Sequence, residues 1–278
     1  MISRVAFNHS VVTARSPRPA GMRMDGSLLT AYRELEERMK ALAKADGDVF
    51  LPNPEPECPV HYVLICMEPS LGRCSADQLS SKVKEGVRNF LFSIEDFILH
   101  FCVRRYLCGP AQRYHITDVS KGAMLVDRAN LARSRRYDRW YPLLKEEIDV
   151  VAAPNAAIVA VGKAVFEHLR RRCFPRPVTR VIHYSSQAAP ARDAVLVGRE
   201  DTFQEFRSSL SLDDVVATAE DVLRASHAPA KIREETLSRL ARSQLTVSRQ
   251  KLIFNYKVVF ESIRIGSACR GTEYTCGE

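Results

Sequence analysis

Four short segments of the chain carry side chains that can do acid–base or phosphate chemistry, and each follows an apolar run. The segments are 68–72 (EPSLG), 118–121 (DVSK), 162–163 (GK) and 183–187 (HYSSQ). A carboxylate such as Glu68 can stabilise a developing positive charge or orient an attacking water molecule. An imidazole such as His183 can donate a hydrogen bond to a leaving group that gains negative charge. Joint chemistry requires a fold that brings these segments together.

The apolar runs predict the elements that position these segments. Short β-rich runs predict four strands, at 60–66, 113–119, 156–162 and 178–184. Amphipathic or helix-forming stretches predict helices at 28–42, 76–106 (broken near Gly86), 139–151 and 163–172. Strands that alternate with helices imply a parallel sheet covered on both faces. The predicted class is α/β, a three-layer α/β/α sandwich with a central four-stranded parallel sheet plus N- and C-terminal helical extensions.

This class also predicts where function lies, because ligands of open parallel sheets bind beyond the carboxyl ends of the strands. The predicted organisation is a flexible lead over 1–26, the α/β/α core over 27–200 and a mostly helical extension over 201–278 that packs on the core. Within that extension the pattern indicates two or three helices. Residues 244–265 are open to ending in a strand.

Charge and composition favour a polyanionic partner. The chain of 278 residues is 46% hydrophobic, enough for a sizeable core, and has a net charge of +8. The positive charge favours nucleic acid as a partner, before a membrane surface. Arginines cluster at 133, 135, 136 and 139 and again at 170–172; each cluster is either a binding surface or a solvated face. No apolar run approaches the roughly 18–20 residues of a membrane span, and the start lacks a signal-peptide pattern. We expect a cytoplasmic monomer without a membrane partner.

The cysteine pattern argues against a metal or disulfide framework. Eight cysteines occur at irregular spacings with no Cys-x-x-Cys pair. His100, Cys102 and Cys108 form a disfavoured alternative, so no metal and no cofactor are expected. The chain also lacks GxGxxG, GxxxxGK[ST] and GxSxG, which argues against a nucleotide-binding enzyme or a nucleophile-elbow hydrolase.

Two motifs and a middle segment resemble a known family. Cys66-Met67-Glu68-Pro69-Ser70 follows the first strand, and His183-Tyr184-Ser185-Ser186-Gln187 follows the last, about 115 residues later. Their order and strand context resemble the paired active-site motifs of the uracil-DNA glycosylase superfamily, such as Gly-Gln-Asp-Pro-Tyr and His-Pro-Ser. The stretch 116–121 matches the family's middle strand, which ends in an Asn that reads the base. The resemblance covers roughly residues 58–195.

The resemblance implies a monofunctional DNA glycosylase, which flips a base out of DNA and hydrolyses its bond to the sugar. Glu68 stands where the family places Asp, Asn or Ala, so it is the expected catalytic carboxylate. His183 is the expected donor to the oxygen of the departing base. The alternatives are a loop-capping carboxylate and a strand-end histidine.

The resemblance also assigns binding roles. The expected base-binding residues are Asp118, Ser70, Met67 and Phe90, the last being either a stacking ring or ordinary core. The expected DNA-binding residues are Ser185, Ser186, Gln187, Arg192, Lys121 and Lys163. Of these, Gln187 and Arg192, together with Ala188, are candidates to fill the space left by the flipped base.

Three departures from the family pattern refine the expectation. Gly122 follows Lys121 where iron–sulfur members have a cysteine, so no cluster is expected. Ser70 replaces a Tyr that blocks 5-substituted pyrimidines. Asp118 replaces the base-reading Asn and, when ionised, only accepts hydrogen bonds, which fits the N4 amine of cytosine; burial can instead protonate it and restore a donor. The expected substrate is a 5-modified cytosine, such as glucosylated 5-hydroxymethylcytosine of phage DNA, in antiviral defence. Uracil repair and a catalytically inactive DNA-binding module remain alternatives.

Overall fold

The computed structural model of the chain describes residues 26–72, 74–185 and 188–272. The strands are β1 Val49–Phe50, β2 Val60–Cys66, β3 Tyr114–Asp118, β4 Gly122–Ala123, β5 Ala152–Val161 and β6 Val178–Val181. The helices are α1 Gly26–Asp46, α2 Ala76–Lys84, α3 Ile94–Cys102 (continued by a π-helical turn, Val103–Leu107), α4 Val126–Val151, α5 Lys163–Arg171, α6 Ala189–Ala194, α7 Glu200–Ser208, α8 Leu212–Ala225, α9 Ala230–Ala241 and α10 Val247–Thr272.

Four parallel strands form the main sheet, in the order β3-β2-β5-β6. Leu64 of β2 pairs with Ile116 of β3 and Val159 of β5, so β2 lies inside the sheet. Its sequence, VHYVLIC, is nearly continuous in apolar residues, as expected for a strand covered on both faces. The four predicted strands are confirmed. A two-residue antiparallel pair, β1 with β4, was not predicted.

Side chains alternate between two cores. Tyr62, Leu64 and Cys66 of β2 face a large core with residues of α3, α8, α9 and α10. Val63 and Ile65 face a second core with residues of α1, α4 and α5. Helices therefore cover both faces of the sheet, and the three-layer α/β/α prediction is confirmed.

The C-terminal helices build one of these layers. Val222 of α8, Leu240 of α9 and Tyr256 of α10 are buried in the same core as Leu64. Residues beyond 200 thus contribute to the main core of the protein. The predicted lead over 1–26 lies outside the described residues except for its last residue, Gly26, which begins α1.

Three sequence predictions about elements were wrong. The described part of the extension has four helices, α7 to α10, rather than two or three. Helix α4 begins at Val126, not at 139, because its first half is rich in exposed arginines and lacks a clear apolar stripe. The 244–265 stretch ends in no strand, since it lies within or just before α10. Leu252, Tyr256 and Phe260 recur every four residues, a helical spacing, but the same even positions also fit the two-residue period of a strand.

Among the described residues, none of the helices is long and apolar enough to cross a bilayer.

Candidate functional site

The strand order places the topological switch point of the sheet between β2 and β5. From β2 the chain goes to β3 on one side and later to β5 on the other, so the connections diverge between these two strands. Ligands of such sheets bind at this point, beyond the carboxyl ends. Glu68 follows β2 and Gly162 follows β5, which puts both at the predicted position.

Glu68 is a tightly held carboxylate. Its Oε1 accepts hydrogen bonds from Arg133 Nε at 3.1 Å and Nη2 at 2.8 Å, and its Oε2 accepts one from Tyr137 Oη at 2.5 Å. The side chain is only 6% exposed. Burial and the charge of Glu68 raise the pKa of Tyr137 well above its usual value, so this phenol stays protonated and donates. Glu68 therefore has a fixed orientation.

His183 follows β6 and lies against Gly162. A Cβ built on Gly162 would be 3.3 Å from the Cβ of His183, and Gly162 has a φ of +106°. The Ser185 backbone N–H donates to His183 Nδ1 at 3.0 Å. Because Nδ1 accepts, the neutral imidazole carries its proton on Nε2. Burial, then the charges of Arg133 and Arg192, lower the pKa of His183 to about 4, so the ring is a neutral Nε2–H donor at pH 7.

Arg133 connects Glu68 and His183 electrostatically. It forms the ion pair with Glu68, and its charge contributes to the lowered pKa of His183. The strands that precede the two residues, β2 and β6, are separated by β5 alone, a gap of about 10 Å between strand axes. Sequence reasoning had noted Arg133 only as one member of a cluster and had missed Tyr137.

Asp118 lies at the end of β3, beside Glu68. It is 3% exposed and its Oδ2 accepts a hydrogen bond from Asn89 Nδ2 at 2.6 Å. Burial raises the pKa of Asp118 to about 7; the charge of Glu68 adds to this, while Lys121 and the Asn89 bond oppose it. The carboxyl therefore changes ionisation near neutral pH. Asn89 lies within the range 58–195 that resembles the family, but its contact with Asp118 was not predicted.

Lys121 is buried, which corrects its assignment as a phosphate contact. It is 2% exposed, and its Nζ donates to Glu147 Oε2 at 2.8 Å, to the Asp118 carbonyl at 2.7 Å and to Thr117 Oγ1. Burial opposes ionisation of Glu147, but the charge of Lys121 and a bond from His115 outweigh it and lower the pKa of Glu147 to about 2. Lys121 thus neutralises a buried carboxylate.

Arg192 is also buried, so it is not placed to fill a gap in DNA. It is 4% exposed; its Nη2 donates to the carbonyls of Tyr184 at 2.7 Å and Ser185 at 2.5 Å, and its Nη1 donates to Ser248 Oγ of α10 at 2.8 Å. It fixes the loop that holds His183. Ser186 and Gln187 lie outside the described residues.

The remaining predicted residues have mixed positions. Phe90 is 2% exposed within the large core, where the ordinary-core alternative accounts for it. Met67 is half-buried next to Glu68, and exposed Ser70 accepts a hydrogen bond from the Gly72 N–H at 3.0 Å. Lys163 is 74% exposed at the start of α5, 3.6 Å from Glu167, and remains suited to contact a phosphate.

Comparisons of the chain with models of protein families, with curated proteins and with solved structures found no match. Among the described residues, no three His, Cys, Asp or Glu side chains are grouped so that they could hold a metal ion.

Proposed function

We propose that the protein is a monofunctional DNA glycosylase that hydrolyses the bond between a flipped base and its sugar. One observation carries the proposal: an oriented carboxylate, Glu68, follows β2, a neutral imidazole, His183, follows β6 of the same parallel sheet, and the charge of Arg133 acts on both. The order of the motifs resembles the uracil-DNA glycosylase superfamily, which supports the same activity.

The proposed chemistry assigns each group a task. When the glycosidic C–N bond breaks, its electron pair leaves with the base, and positive charge develops on the sugar. Glu68 stabilises that charge and orients the water whose oxygen bonds to the sugar carbon. The proton that this water loses ends on the departed base, which carries the electron pair of the broken bond. His183 donates its Nε2–H to the base oxygen where negative charge accumulates. A neutral donor suits this task, because its pKa of about 4 keeps the ring from carrying charge before the reaction.

The proposed substrate is a cytosine-type base with a bulky 5-substituent. Ser70 is small and exposed, which leaves room beside the base. Ionised Asp118 accepts a hydrogen bond from an N4 amine, whereas protonated Asp118 donates to a uracil O4. Glucosylated 5-hydroxymethylcytosine of phage DNA fits both features, and its removal would serve antiviral defence. Uracil excision is the alternative within the same activity.

The test uses oligonucleotides that carry uracil, 5-hydroxymethylcytosine or its glucoside, followed by alkaline cleavage of abasic sites. We expect strand breaks with the modified cytosine and a loss of at least about 100-fold in rate for Glu68→Gln. Glu205→Gln removes an exposed carboxylate of α7, away from the strand ends, and serves as the matched control. Strand breaks with uracil alone would show that the substrate is uracil and not a modified cytosine. No base release from any oligonucleotide would refute the glycosylase activity.

A second candidate function is DNA recognition without catalysis. It is favoured by the engagement of both Glu68 oxygens, with Arg133 and with Tyr137, which makes this carboxylate a structural partner as the protein stands. This candidate predicts that oligonucleotides bind with no base release, and that Glu68→Gln leaves their affinity unchanged. Glycosylase activity instead requires that a bound sugar compete for the Glu68 oxygens.

A further inference from the structure

A cleft lined by four arginines lies between α4 and the turn that ends α1. Its volume is about 380 Å³, and its lining residues are Asp46, Arg128, Arg135, Arg136 and Arg139. We call it the arginine cleft. None of these residues forms a hydrogen bond or ion pair with Glu68 in the described part of the chain, although Arg133 and Tyr137 of the same helix do.

Two of these arginines hold the turn after α1. Arg128 donates to the Asp46 carbonyl at 2.7 Å and is paired with Asp48 at 3.0 Å. Arg139 is paired with the Asp46 carboxylate, which also accepts a hydrogen bond from Trp140 at 3.0 Å. These contacts account for Arg128 and Arg139 as structural residues.

The other two arginines, Arg135 and Arg136, take no part in these contacts. Arg135 is exposed and has no ion-pair partner among the described residues. Arg136 is only 10% exposed, and its single acidic neighbour, Asp48, lies 3.7 Å away. Its Nη1 is buried without a hydrogen-bond partner in the described part of the chain. Both oxygens of Asp48 are likewise buried without a hydrogen-bond partner among the described residues, so Asp48 and Arg136 interact as charges and not through a hydrogen bond. The exposed guanidinium of Arg135 is the group that an anion in the cleft reaches directly.

The charge balance favours an anion as well. Four guanidinium groups face two carboxylates, Asp46 and Asp48, which leaves a surplus of two positive charges in and beside the cleft. A guanidinium donates two parallel hydrogen bonds to a phosphate, so Arg135 and Arg136 are suited to hold one.

The cleft lies close to the candidate site along the same helix. Arg133, which contacts Glu68, and Arg136 are three residues apart, about 4.5 Å along the helix axis. Because residues three apart are neighbours on a helix surface, the cleft and the Glu68 contact lie on adjacent turns of α4.

We propose that the arginine cleft binds a backbone phosphate of the DNA strand that is engaged at Glu68, through Arg135 and Arg136. The identity of the strand rests on the proposed function, whereas the binding of a phosphate rests on the cleft alone.

The experiment measures the affinity of the full chain for a fluorescent single-stranded oligonucleotide by anisotropy, over a series of salt concentrations. Arg135→Gln and Arg136→Gln are compared with Arg242→Gln, which removes an exposed arginine at the end of α9, a helix on the opposite face of the sheet from α4. We expect each cleft variant to bind several-fold more weakly than the control. The slope of log affinity against log salt should fall by about 0.7 per lost phosphate contact.

Two further measurements keep the result interpretable. Thermal unfolding checks the fold, and exposed Arg135 carries the test if Arg136→Gln unfolds. Competition with inorganic phosphate separates a free anion from a backbone phosphate. Cleft variants that bind the oligonucleotide as Arg242→Gln does would overturn the proposal, even if their affinity for inorganic phosphate falls.

The two proposals fail separately. If oligonucleotide binding depends on salt and on Arg135 but no base is released, phosphate binding by the cleft is supported and the glycosylase activity is refuted. If both cleft variants release the base at an unchanged rate and bind the oligonucleotide with unchanged affinity, the glycosylase activity is supported and phosphate binding by the cleft is refuted.

Discussion

Glu68 is held in place by two residues of α4 that lie far from it in the sequence. Arg133 and Tyr137 are separated from Glu68 by 65 and 69 residues, inside a helix whose start the sequence obscured. No spacing rule connects a strand end with a helix that distant in the chain. Ion pairs between remote elements become visible only once the layers are assembled.

Asp118 predicts the pH dependence of base recognition. Its pKa of about 7 means that the ionised form, which accepts from an N4 amine, gains population between pH 6 and 8. We expect excision of a modified cytosine to rise over this interval and excision of uracil to fall. Single-turnover rates measure the effect, and Asp118→Asn should flatten either profile. A profile equally steep in Asp118→Asn would show that another group titrates.

The same shift affects stability, with a defined sign. The usual Asp pKa of 3.8 is raised in the folded protein to about 7, so the folded state binds more protons between these values. Stability is therefore lost as pH rises through this interval. Asp118→Asn removes the group responsible for this loss. We therefore expect the substitution to raise the free energy of unfolding, relative to the unaltered protein, by roughly 1–3 kcal/mol more at pH 8 than at pH 4. Urea unfolding of both proteins at the two pH values measures the difference. An equal gain at both pH values would contradict the burial argument.

At the scale of elements, the end of β5 controls the position of His183. Gly162→Ala forces a side chain into a φ of +106° and puts its Cβ 3.3 Å from His183. We expect about 1–2 kcal/mol lower stability and a fall in base release of 10-fold or more. Unfolding curves and single-turnover rates check this.

Gly198→Ala is the matched control, because Gly198 has a φ of +75° with nothing within 4 Å of the added Cβ. It shares the backbone strain of Gly162→Ala without the contact. An equal loss of activity in both variants would mean that general destabilisation, not displacement of His183, is responsible.

The sequence predicted helices and strands correctly where the apolar residues fitted one kind of element, and it failed where their spacing fitted both a helix and a strand. The apolar β2 run was clear, since seven consecutive residues suit a strand buried on both faces. In α10, Leu252, Tyr256 and Phe260 satisfied both a helical and a strand period. The two-residue strands β1 and β4 are too short to produce any period, so no sequence pattern could have indicated them.

At the scale of the whole molecule, the predicted boundary at residue 200 cuts through a core. Removing residues 201–278 would expose the face of the sheet that packs on Val222, Leu240 and Tyr256. We expect the shortened chain to lose its cooperative thermal transition and near-ultraviolet circular dichroism. A shortened chain that melts cooperatively would establish the C-terminal helices as an appendage after all.

Helix α10 also holds the segment around His183. Ser248 accepts a hydrogen bond from Arg192, which in turn holds the Tyr184 and Ser185 carbonyls, and Tyr256 donates to the Ile182 carbonyl at 3.1 Å. During synthesis, the segment around His183 leaves the ribosome well before these partners do. A nascent chain therefore contains both Glu68 and His183 yet cannot hold the segment around His183 until α10 emerges.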